Sequence, residues 1–138
     1  MAKISGRGKP RTEPNIDVLG LEMGKRPPQA VDIEEAVLGA LMLEPTAITD
    51  IIDIISPDCF YKETNKKIFV AISALASRHA PVDIFTVSEE LKGKGELESV
   101  GGVSYLSQLS MRIGAAAHID YHAKILLQKY IQRELISI

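Results

Sequence analysis

The stretch Pro27-Pro28-Gln29-Ala30-Val31-Asp32-Ile33-Glu34-Glu35-Ala36-Val37-Leu38-Gly39-Ala40-Leu41-Met42-Leu43 decides how the whole chain is read. Two prolines make a stiff, extended punctuation mark. Beyond them Asp32 and Glu35 have the spacing of a capping box, in which carboxylates satisfy the free amides of a first helical turn. Val37, Leu38, Leu41 and Met42 then fall at i, i+1, i+4 and i+5, which gives one apolar face. From Asp32 onward the pattern is helical and stays so.

Downstream, Glu44-Pro45 predicts a new helix start, because proline is tolerated at the first helical position. Ile48, Ile51, Ile52 and Ile55 form its stripe, and Ser56-Pro57 ends it. A longer helix is predicted over 63–78, with Ile68, Phe69, Ile72 and Leu75 inward. Thr86 and Glu89 repeat the capping-box spacing, ahead of Val87 and Leu91. After the turn Lys92-Gly93-Lys94-Gly95, Leu97 and Val100 tuck a short segment back. Gly101-Gly102 opens a helix carrying Val103, Leu106, Leu109 and Ile113, and Gly114 breaks it. The last helix starts near Ala117, with Ile119, Ala123, Leu126, Leu127, Tyr130, Ile131, Leu135 and Ile138 apolar. The expectation is an all-α fold: a compact multi-helix head over 29–100, then an antiparallel helical hairpin over 101–138. The last helix carries no terminating Gly or Pro, which suggests a cut or a domain boundary.

Upstream, residues 1–28 hold six basic side chains against Glu13, Asp17 and Glu22, a net charge of +3. They are rich in Gly and Pro without a sustained period and read as a flexible basic tail. Residues 29–138 carry −5, so the chain's net −2 is an average over two unlike parts. Its 138 residues suit one domain. Aromatics are 5% and tryptophan is absent, which argues against a base-stacking platform. Cys59 is the only cysteine, so an internal disulfide and a cysteine-cluster zinc site are excluded. No apolar run approaches the roughly 20 residues of a membrane span, and the default expectation is an intracellular, cytoplasmic domain.

Tests for chemistry return little. Gly6-Arg7-Gly8-Lys9 and Gly93-Lys94-Gly95 lack the Ser or Thr and the preceding strand of a phosphate-binding loop. His118 and His122 share a helix face at i, i+4, but Ile119 stands where a zinc hydrolase of the His-Glu-x-x-His type has its general base. They read as surface imidazoles near the hairpin tip, and no metal, cofactor or catalytic residue is assigned. Arg7-Gly8-Lys9-Pro10-Arg11 approximates an AT-hook core, with Lys9 replacing the central arginine whose planar fork fits the minor groove. Arg7, Lys9 and Arg11 are therefore the candidates for contact with DNA phosphates. The carboxylates of Glu34, Glu35, Glu89, Glu90, Glu96 and Glu98 suit helix N-termini and turns.

The opening stretch resembles the start of the N-terminal domain of bacterial replicative DNA helicases of the DnaB type. Later strings match in order: Asp58-Cys59-Phe60-Tyr61 with Ile68-Phe69, Pro81-Val82-Asp83 with Thr86-Val87 and Leu91, and Gly95 through Leu106. The last helix, Ile119 to Ile125 and Arg133 to Ile136, fits as well. The resemblance covers residues 27–138. It departs at Asn65, where the family usually has His, at Ala30 (Ser or Asn) and at His122 (often Tyr); residues 1–26 lie outside it.

The resemblance implies a head and hairpin that pair into a trimer-of-dimers collar on a hexameric ring, with primase, and a helicase loader, as further partners. It also implies a linker helix and an ATPase domain downstream that would carry ATP and Mg. A hairpin has no third layer in its own chain, so part of the stripe Ile113, Ile119, Tyr121, Ile125 and Leu126 is expected to face a second copy. Asp32, Glu35 and Tyr105 are the candidates for primase docking. A stand-alone helical adaptor that regulates a helicase or primase is the alternative.

Overall fold

The first helix is apolar almost all the way round in its second half, and the rest of the molecule is built on it. In the computed structural model, which describes residues 29–112 and 115–137, this helix is α1, Val31–Leu43. Every residue from Val37 to Met42 is buried. There follow α2 (Ala47–Ile51), a 3-10 turn (Pro57–Cys59), α3 (Glu63–Ser77), α4 (Ile84–Gly93), a second 3-10 turn (Glu98–Val100) and α5 (Gly102–Ser110). A third 3-10 turn (Ala115–His118) leads into α6, Ile119–Ser137. The fold is all-α, as the sequence predicts.

α1 touches α3, α5, α6 and the Ala115–His118 turn. The two C-terminal helices thus share α1 as a support, which is the third layer that a two-helix hairpin lacks. One apolar cluster runs from Val37 to Leu126, through Ile51, Phe60, Phe69, Ile72, Leu91 and Leu106. Within it Phe60 and Phe69 meet with ring centroids 4.9 Å apart.

Several local expectations change. Asp32 does not cap α1: Ala30 is the N-cap, no side chain bonds there, and Asp32 is exposed. Glu35 is drawn away to an ion pair with Arg112. On α4 the capping box is Asp83 with Thr86, three residues earlier than the Thr86–Glu89 spacing suggests. Asp83 Oδ1 accepts from the Thr86 amide at 2.8 Å, and the Asp83 amide donates to Thr86 Oγ1 at 2.9 Å. Pro45 lies in the turn before α2 rather than at its first position. Ile52 is exposed because α2 is only one turn long and ends before it. Val103, Ile131 and Leu135 also stand on the surface. The phosphate-contact candidates Arg7, Lys9 and Arg11, with the rest of 1–28, lie outside the described residues, as does Ile113.

Helix ends explain the turns between elements. α3 and α4 both finish with the paired backbone bonds of a Schellman motif. In α4 the residue past the cap is Gly95 at φ +72°, with Glu96 N donating to Leu91 O at 2.8 Å. In α3 it is His79, a left-handed non-glycine residue at φ 59°.

Candidate functional site

Glu34 is the least expected residue of α1: a carboxylate on a helix face that is otherwise core, 1% exposed. Burying a charge this way is tolerable only when its lone pairs are filled. They are filled by the start of α3. Glu34 accepts from the Tyr61 amide at 2.6 Å, the Lys62 amide at 3.3 Å and the Asn65 side-chain amide at 3.0 Å. α3 has no side-chain cap within its own segment, so a residue of another helix supplies the anion that the free amides and the helix dipole favour.

From Asn65 a polar seam runs outward. Asn65 is fully buried, and its Oδ1 accepts from the Tyr105 hydroxyl of α5 at 2.7 Å. That hydroxyl lies 3.4 Å from Glu35 Oε2, and Glu35 Oε1 takes the Arg112 guanidinium. Lys62 Nζ sits 5.2 Å from the centre of the Tyr105 ring. Burial, and then the negative charge of Glu35, push the Tyr105 phenol up to about 12. The seam thereby joins α1, α3 and α5 and ends at the surface on Lys62, Glu35, Tyr105 and Arg112.

Of the three docking candidates, Glu35 and Tyr105 come together in this seam, half-buried and engaged with each other. Asp32 does not join them; it lies on the exposed first turn. Of the self-association candidates, Ile119 (3% exposed) and Leu126 (1%) belong to the chain's own core, packed with α1, and are not surface. Tyr121 is 63% exposed and Ile125 is half-buried. The exposed apolar residues of α6 are Tyr121, Ile131, Leu135 and Ile136.

Glu34, Asn65 and Arg112 were not among the sequence candidates. Asn65 carried a legible signal, because it shares the i, i+3, i+4, i+7 stripe of Ile68, Phe69 and Ile72. A polar residue on such a stripe needs a partner.

A second junction fixes the far half of α6. Arg133 donates to the backbone carbonyls of Asp58 and Cys59 at 3.4 and 3.2 Å, and its guanidinium lies 5.6 Å from the Tyr61 ring and 5.9 Å from the Tyr130 ring. These groups border an open cleft of about 630 Å³. Among the described residues no group of three or more His, Cys, Asp or Glu is placed to hold a metal ion. No helix among them is long and apolar enough to cross a membrane.

Among the described residues six helices, the first of them buried through its second half, tied by a carboxylate-centred seam, define a small all-α domain. The sequence model described as "DnaB-like helicase N terminal domain" matches residues 26–128. The chain is 44% identical over 126 residues to "Replicative DNA helicase DnaB" of Rhodothermus marinus, covering 91% of this chain and 13% of that protein. It is 44% identical over 110 residues to "Replicative DNA helicase DnaB" of Geobacillus stearothermophilus, covering 80% of this chain and 24% of that protein. The crystal structure of the N-terminal domain of DnaB helicase from Mycobacterium tuberculosis superposes with a TM-score of 0.78 at 35% identity, over 81% of each chain. The chain belongs to the DnaB-like helicase N-terminal domain family. It spans only 13% and 24% of the two helicases it matches.

Proposed function

We propose that this domain is the N-terminal assembly and docking unit of a replicative DNA helicase. The observation that carries the reading is the alignment of nine-tenths of the chain with a protein named as such a helicase. In this reading the domain does no chemistry. Unwinding belongs to an ATPase domain outside this chain, which would hold ATP and Mg in the cytoplasm, at a nucleoid-associated replisome. This domain assembles with copies of itself into the collar of a hexameric ring and docks primase, with a helicase loader as a further partner.

Residue exposure supports a narrower choice of residues. Tyr121 and Ile125, with the exposed Ile131, Leu135 and Ile136 of α6, offer the apolar surface for a second copy. Glu35 and Tyr105 serve the fold as well as any partner, since both are bound into the seam. Asp32 is the residue that separates the two roles. Asp32→Lys is expected to weaken binding to the helicase-binding domain of primase while leaving the melting temperature unchanged. Unchanged affinity removes Asp32 from the docking surface. Light scattering at tens of micromolar is expected to show species above 15.1 kDa. A strictly monomeric chain overturns self-association through α6.

A further inference from the structure

We propose that His118 and His122 form a two-histidine chelate for a divalent transition-metal ion of the zinc type. His118 closes the 3-10 turn Ala115–His118, and His122 stands on the first turn of α6. Their ring centroids are 6.4 Å apart, with the planes at 73°. A zinc ion held through both rings at about 2.0–2.1 Å per Zn–N bond brings ring centres to roughly 5 Å. Closing that difference falls to the His118 ring, which is exposed. His122 is half-buried and its Nδ1 is closed off from solvent without a hydrogen-bond partner, so Nε2 is the nitrogen it offers.

The surroundings decide whether a cation is welcome there. A helix N-terminus repels one. Asp120, in the first turn of α6, carries a carboxylate that opposes that repulsion. No third His, Cys, Asp or Glu completes a set among the described residues, so water fills the remaining positions. Imidazole nitrogens select Zn, Cu or Ni over Mg, which prefers oxygen. With no general base at Ile119, the site binds and does not hydrolyse. Bound metal ties the turn to α6 and stabilises the folded chain by linkage.

The test is calorimetric titration of the untagged full chain with zinc chloride, with cobalt absorption as a second readout. One ion per chain is expected, together with a higher melting temperature in zinc. His118→Ala, a change at an exposed position, is expected to weaken binding about a hundredfold, the gain a second tethered ligand confers. His79→Ala is expected to bind as the parent does. Absence of zinc binding at millimolar concentration, parental affinity in His118→Ala, equal weakening in His79→Ala, or equal affinity for Mg would each overturn the proposal.

Discussion

Tyr105 shows how much one hydroxyl carries. It donates to a fully buried Asn65 and faces Glu35, so its proton is held by burial and by a neighbouring charge. Removing it in Tyr105→Phe leaves Asn65 Oδ1 without its partner and is expected to cost about 1–2 kcal/mol in denaturant unfolding. The pH dependence follows from the raised phenol, at about 12 in the fold against 10 in its absence. The folded state holds the proton more tightly, so this stabilisation is complete below pH 10 and is lost as pH rises through 12. The stability gap between the parent and Tyr105→Phe should therefore narrow across that window. A constant gap would show that folding does not raise the phenol at all. At this scale the sequence was half legible. Asn65 on an apolar stripe announced a buried polar group, but its partners stand 31 and 40 positions away, and no local pattern names them.

The contact between α1 and α5 is set by what Gly39 lacks. A Cβ there would stand 2.0 Å from the Leu109 carbonyl oxygen, a backbone atom that cannot rotate aside. Gly39→Ala gains helix propensity of about 1 kcal/mol and must push the two helices apart, which costs about 1–3 kcal/mol or more in a packed core. A net loss of about 1–2 kcal/mol is expected by thermal or urea unfolding, and a stabilised variant would place α5 elsewhere. The helices themselves were legible because their apolar spacing is long and regular. The caps were less so. Asp32–Glu35, Asp83–Thr86 and Thr86–Glu89 all have a usable spacing, and only the path of the chain decides that the middle pair closes the box. The exposure of Leu135 on α6 was also hidden, since periodicity identifies an apolar face without saying whether its own chain covers it.

Over the whole molecule, charge separates the parts. The acidic body suits contacts with proteins more than a grip on phosphates, whereas residues 1–28 carry the excess of base. If Arg7, Lys9 and Arg11 reach DNA phosphates, replacing all three by Ala should lower the slope of log affinity against log salt by about 3. An unchanged slope assigns those residues to another role. The family was legible in the sequence because five strings kept their order over most of the chain. The proposed surface was not, since Ile119 and Leu126, two of the five residues expected to meet a second copy, are buried in the chain's own core. Glu34, finally, has a kinetic meaning. The first turn of α3 has no cap of its own, so it is complete only once α1 has docked against it. The amides of Tyr61 and Lys62 should then exchange their hydrogens only when α1 leaves, reporting opening of the whole fold rather than fraying of a helix end.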